Sequence, residues 1–175
     1  MKIRLAAPIT TGSIVDGPGL RAVIWTQGCP HHCKGCHNPQ THSFEGGSEV
    51  EVRDIILKIS GLKLHKGITI SGGEPLEQAA ACGEIAKHVK AMGMDVWIYT
   101  GYIFEDIIKK CEVARPEWKQ LLNYCDVMVD GPFIEQKKNL LLKFRGSENQ
   151  RLIDVRKSLE EGKVVLYVEK NFFSD

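Results

Sequence analysis

Apolar positions along the chain follow two different periods, and segments of the two kinds alternate. The run Leu20-Arg-Ala-Val-Ile-Trp-Thr26 is β-branched and aromatic, which predicts a buried strand. Val52, Ile55, Ile56 and Ile59 repeat at i, i+3, i+4 and i+7 and predict a helix, with Ser48 placed to cap it. A short strand at 67–70 leads into a helix over 76–92, whose Ile85, Ala86 and Val89 face inward and whose stop is Gly93. The pattern then predicts a strand at 94–99, a helix near 103–111, and a helix opened by Pro116 and running to Leu122. A strand follows at 126–129, and the tail offers a strand near 140–144, a helix over 154–161 and a strand at 164–168. Strands alternating with helices predict βαβ units and a parallel sheet, whose chemistry gathers at the carboxyl ends of the strands.

Composition narrows the class. At 175 residues, with 43% hydrophobic and 26% charged positions, the chain is expected to form one domain, 1–175, with a core of its own. A formal net charge of +1 gives no electrostatic footing for nucleic acid or an anionic membrane as a partner. No apolar run reaches the roughly 18 residues of a membrane span. Pro8, Thr10, Thr11 and Gly12 interrupt the N-terminal segment and argue against a signal peptide, so the expected location is the cytoplasm. There, isolated cysteines such as Cys82, Cys111 and Cys125 are expected to be small buried apolar side chains.

The remaining three cysteines carry the chemistry. Residues 29–36 read CPHHCKGC, with Cys29, Cys33 and Cys36 spaced C-x3-C-x2-C directly after a predicted strand. Three thiolates and no nearby fourth would hold three irons of a 4Fe–4S cube and leave one open, as catalytic metal sites do. The same spacing admits zinc completed by a histidine such as His31, His32, His37 or His42, or a C-x2-C thiol pair with Cys29 idle. On spacing alone all three stand. Four polar turns follow predicted strands: the cysteine loop, Ser71-Gly-Gly-Glu-Pro75, Tyr99-Thr-Gly-Tyr102 and Asp130-Gly-Pro132. They should share one rim. His31, His32, His42, His65 and His88 have no partner visible in the sequence.

WTQGCPHHCKGCHN followed some forty residues later by SGGEP resembles the radical S-adenosylmethionine superfamily, and Ser13-Ile-Val-Asp-Gly-Pro-Gly-Leu-Arg21 resembles its glycyl-radical-enzyme activases. Cys33-Lys-Gly-Cys36 and Arg145-Gly-Ser-Glu-Asn-Gln-Arg151 resemble the activases of anaerobic ribonucleoside-triphosphate reductases, over most of residues 1 to 155. The resemblance implies that Cys29, Cys33 and Cys36 ligate a 4Fe–4S cluster, and that S-adenosylmethionine is bound by Gly35, Cys36, His37, Gly72, Gly73 and Glu74. The implied reaction is reductive cleavage of that cofactor, the 5′-deoxyadenosyl radical then taking a glycine Cα hydrogen from the reductase, with a flavodoxin or ferredoxin as electron donor. It further implies a partner contact at Asp16 and Arg21, and a monovalent cation at Asp130 whose usual companion aspartate is missing near Tyr99-Thr100. Arg145 and Arg151 would support the rim or meet the reductase.

Turn chemistry accounts for Gly17-Pro18-Gly19 as a type II turn. The implied fold is a partial, laterally open (β/α) barrel of about five or six mainly parallel strands, since a complete (β/α)8 barrel takes about 250 residues. An open barrel would suit a protein substrate that plugs the gap and excludes water. The competing expectations are a small-molecule enzyme of the same superfamily, such as a 7-carboxy-7-deazaguanine synthase, and a zinc-stabilised binding module.

Overall fold

The structure is a computed structural model that describes residues 1–169. Eight strands form one mixed sheet: β1 (Lys2–Leu5), β2 (Thr10–Ser13), β3 (Arg21–Thr26), β4 (Ser48–Glu51), β5 (Gly67–Gly72), β6 (Asp95–Tyr99), β7 (Val127–Asp130) and β8 (Arg151–Asp154). The order is β4-β1-β3-β5-β6-β7-β8, with β2 also on β3. The middle is parallel, β3 to β5 to β6 to β7, in the register Ile24↔Ile70 and Ile70↔Ile98. Antiparallel strands complete both flanks, β1, β2 and β4 on one side and β8 on the other.

Five helices follow the alternation expected: α1 (Val52–Ser60), α2 (Ala79–Ala91), α3 (Phe104–Val113), α4 (Pro116–Asn123) and α5 (Val155–Glu161). Each buries one stripe: Val52, Ile55 and Ile59 on α1, Ile85, Ala86 and Val89 on α2, Phe104 and Ile107 on α3, Trp118 and Leu121 on α4. These pack with Ala22, Ile24, Ile68, Ile70, Val96, Ile98 and Met128 into one cluster that also takes in Cys82, Cys111 and Cys125. Because side chains alternate across a strand, the intervening residues Arg21, Val23, Thr69, Trp97 and Val127 point to the other face. That second face has its own small cluster, Trp97, Val127 and Val129 under Phe144 and Tyr167. Helices therefore cover one face and loops the other.

Three expectations are corrected. Ser48 does not cap α1; it begins β4, where it pairs with Leu5, and α1 starts at Val52. Residues 140–144 form no strand but a series of turns, with Leu140 and Leu141 exposed, so the apolar run has no layer to pack into. Residues 164–168 contribute a single bridge, Ile153↔Leu166, rather than a strand. Among the described residues, no helix is long and apolar enough to cross a membrane.

Candidate functional site

The four polar turns do meet. β3, β5, β6 and β7 run parallel, so Gln27–Cys29, Gly72–Glu74, Thr100–Gly101 and Gly131 emerge at the same edge. They enclose a cavity of about 120 Å³ into which Cys29, Cys33 and Cys36 project together with Gly72, Gly73 and Glu74. The loop is stitched to this edge through its backbone: Gly73 N–H donates to the Thr26 carbonyl at 2.7 Å and Glu74 N–H to the Gly28 carbonyl at 2.8 Å. The approach is so close that a Cβ on Gly73 would stand 2.4 Å from the Gly28 oxygen, which explains a glycine there on packing grounds alone.

All three clustered cysteines are half-buried and free, whereas Cys82, Cys111 and Cys125 lie buried in the core. Burial pushes the Cys29 thiol up to about 11, with the Glu74 carboxylate adding to the effect and the His31 backbone N–H, bonded to it, opposing. Bound metal cations reverse this balance by stabilising thiolate. The Cys36 sulfur accepts from Asn38 N–H at 3.4 Å, and Cys36 N–H closes a turn on the Cys33 carbonyl at 3.1 Å. Three convergent soft donors and no fourth thiol at the cavity fit a cluster with one iron left without a protein ligand.

A second, larger cavity of about 500 Å³ opens from the first on the helix-free face of the sheet. The two share Cys36, Ser71, Tyr99, Phe133 and Gln150, and Asp16, Trp25 and His37 lie along the larger one. His37 stacks at a tilt on Phe133, centroids 5.0 Å apart. Gly35 takes a left-handed φ of 72° and packs toward Glu135 rather than lining either cavity. Gln150, unforeseen in the sequence, fastens the covering loop: its Nε2 donates to the Gly131 carbonyl at 3.1 Å and its Oε1 accepts from Gly146 N–H at 2.9 Å.

Two expected site residues, Arg21 and Asp130, are engaged with other partners. Arg21 is wholly buried, donating to the Ile68 carbonyl at 2.5 Å, Thr69 Oγ1 at 2.8 Å and the Pro18 carbonyl at 3.3 Å, paired with Asp95 and lying over Trp97. It shapes the Gly17-Pro18-Gly19 turn from within and has no surface to offer a partner. Asp16, by contrast, is partly exposed at the larger cavity, its carboxylate accepting from Ser13 Oγ at 2.5 Å. Asp130 is buried, and both its oxygens are taken by Arg151 (3.0 and 2.5 Å) and by Phe104 N–H at the start of α3 (2.9 Å). A guanidinium thus stands where a monovalent cation was expected.

Glu74 is likewise engaged: Leu76 N–H and Thr100 Oγ1 donate to Oε1, and Gly101 N–H and His31 Nε2 to Oε2. His31, without a partner in sequence terms, is therefore at the centre of the site. His32, His42, His65 and His88 are not: His65 bonds the Thr11 carbonyl and His88 the Glu84 carbonyl of its own helix.

Fold and site together define a mixed α/β scaffold that offers three thiols at the ends of its parallel strands to an iron–sulfur cluster, and the family of 4Fe-4S single cluster domains matches residues 15–153. Named relatives narrow this. An anaerobic ribonucleoside-triphosphate reductase-activating protein of Salmonella typhi is 34% identical over 78% of this chain and 90% of its own length. Proteins of the same name from Vibrio cholerae serotype O1 and Enterobacteria phage T4 are 36% and 37% identical, over 78% and 79% of this chain and 89% and 86% of theirs. The chain belongs to the family of anaerobic ribonucleoside-triphosphate reductase-activating proteins. Of the three chemistries that the cysteine spacing left open, the match selects the cluster.

Proposed function

We infer that this protein activates an anaerobic ribonucleoside-triphosphate reductase, using a 4Fe–4S cluster and S-adenosylmethionine. The observation that carries the reading is the convergence of Cys29, Cys33 and Cys36 on one cavity at the strand ends, in a chain aligned along most of its length with activating proteins. Bound there, the two cofactors supply one-electron cleavage of a sulfonium and abstraction of a hydrogen from a glycine Cα of the reductase. The chain's own residues hold and shield. The three cysteines grip the cluster. Gly72 and Gly73, without side chains, bring backbone to the cavity wall for the methionine end of the cofactor, while His37, beside Cys36, borders the adjoining cavity. Gly35 gives the loop its turn between the second and third cysteines.

The sheet is read here as the wall of a laterally open barrel. Support comes from helices on one face only, from polar Thr69 and Ser71 on the other, and from the absence of pairing between β4 and β8 among the described strands. The larger cavity on that face stays open to solvent, so a glycine-bearing loop of the reductase would complete it and exclude water from a reactive intermediate. Asp16 lies at the mouth of that cavity and is the contact assigned to the partner. A flavodoxin- or ferredoxin-type donor supplies the electron in this reading.

The test is direct. Reconstituted protein, S-adenosylmethionine and reductant, incubated without oxygen with an anaerobic reductase, should give a glycyl-radical doublet on the reductase by electron paramagnetic resonance. No doublet from a protein with a full cluster would favour a small-molecule substrate instead.

A further inference from the structure

An ionised carboxylate offers about four acceptor positions, and at Glu74, which is 0% exposed, all are used. The donors are Leu76 N–H at 3.0 Å, Thr100 Oγ1 at 2.9 Å, Gly101 N–H at 2.8 Å and His31 Nε2 at 2.9 Å. A carboxylate only accepts, so Nε2 carries the hydrogen. Leu76, Thr100 and Gly101 belong to the ends of β5 and β6 and to the turns that follow, which makes them scaffold. His31 alone comes from the cysteine loop, two positions from both Cys29 and Cys33.

The slot around the ring is built for it. Gly101 has no side chain where a Cβ would come within 2.3 Å of the imidazole, and Tyr102 packs edge-on with centroids 4.5 Å apart. The His31 side chain is only 17% exposed. Among the described residues, the other side-chain ion pair from 29–36 to a distant element is Lys34 with Glu135, at 3.3 Å on the surface, and such pairs hold little. Beside the backbone bonds at Gly28 and Cys29, the buried side-chain tie between loop and scaffold is therefore the histidine.

We propose that His31 is a positioning residue: its bond to Glu74 latches the cysteine loop over the strand ends and holds Cys29 and Cys33 ready for the cluster. Glu74 is then the anchor of the latch, acting on the cofactors through His31 and the Gly101 turn. The inference rests on the cluster reading above and deepens it.

The experiment compares wild type, His31→Ala and His31→Gln after anaerobic reconstitution, the glutamine amide being able to donate from near the Nε2 position. Iron and sulfide content are measured, then the rate of iron loss to an added chelator, and thermal unfolding of the cluster-free proteins. Loss of an outer-shell partner typically weakens metal binding at least about tenfold. His31→Ala should therefore release iron about ten times faster than wild type, and His31→Gln within about threefold of it. Cluster-free His31→Ala should unfold somewhat earlier than wild type, since it leaves a buried carboxylate one donor short, and cluster-free His31→Gln close to wild type. Iron release from His31→Ala at the wild-type rate, no rescue by glutamine, or loss of cooperative unfolding in cluster-free His31→Ala would each overturn the latch while leaving the cluster reading intact. A wild-type protein that takes up no iron and sulfide overturns the cluster reading itself.

Discussion

Gly73 and Arg21 illustrate how single positions set this site. Adding one methyl group at Gly73 puts it 2.4 Å from the Gly28 carbonyl, so the cysteine loop must lift from the strand end. Forced overpacking of this kind costs roughly 1–3 kcal/mol. Gly73→Ala should lower stability in urea by about that amount, and the reconstituted variant should carry less iron per chain than wild type; unchanged values in both would mean that the loop is not held there. The glycine was legible in the sequence as part of SGGEP, but its steric reason was not, because the crowding comes from a carbonyl forty-five positions earlier. Arg21 was misplaced for the opposite reason. An arginine is normally a surface residue, and nothing local to the sequence announces Thr69, Ile68 and Asp95 waiting to satisfy it inside. His31 was missed likewise: its partner is forty-three residues away, and no periodicity links them. Two signals could have pointed to it, a histidine between two ligand cysteines and a glycine after Thr100 that leaves room for a ring.

At the scale of elements, the parallel strands and their helices were readable because each buries a regular stripe, while β2 and β4 were not; β1 does alternate, with Ile3 and Leu5 buried, but over only four residues. β2 is Thr-Thr-Gly-Ser with one buried position, and β4 is Ser-Glu-Val-Glu with none fully buried, so neither shows the alternation that marks a half-buried strand. Ser48 accordingly resembled a helix cap. On the far flank, β8 reaches α3 through one cluster of charges. Arg151 donates twice to Glu105, at 2.9 and 2.7 Å, while also holding Asp130. Hydrogen bonds from Arg151 are the main reason that the Glu105 carboxyl is pulled from its ordinary 4.5 to about 2. A carboxyl depressed on folding means that the unfolded chain binds more protons in that window, so stability rises with pH there. The Glu105 contribution should be complete above the ordinary value, shrink as pH falls through it, and be gone below about 2. Acid unfolding of wild type and Glu105→Gln measures it: the wild-type advantage should be modest, since Glu105 is half exposed, and should close as pH approaches 2. An advantage that persists or grows toward that pH would contradict the assigned pair.

On the scale of the whole molecule, fold and chemistry are separable. The core lies between the sheet and α1 to α4, and the cysteine loop sits outside it, on the rim. Replacing Cys29, Cys33 and Cys36 together with alanine should therefore leave the circular dichroism spectrum and cooperative unfolding in place while abolishing cluster binding. A chain whose fold depended on its metal would instead collapse, as structural zinc domains do. Opposite the helix-covered face, a cavity of about 500 Å³ opens toward the cysteines. The account turns on three thiols holding a cluster whose fourth iron is free to take a cofactor. Electron paramagnetic resonance of the reduced, anaerobically reconstituted protein, recorded with and without S-adenosylmethionine, tests this most directly. The account predicts an iron–sulfur signal that changes shape when the cofactor is added. A preparation that holds zinc and no iron, or an iron–sulfur signal unmoved by saturating cofactor, would contradict it.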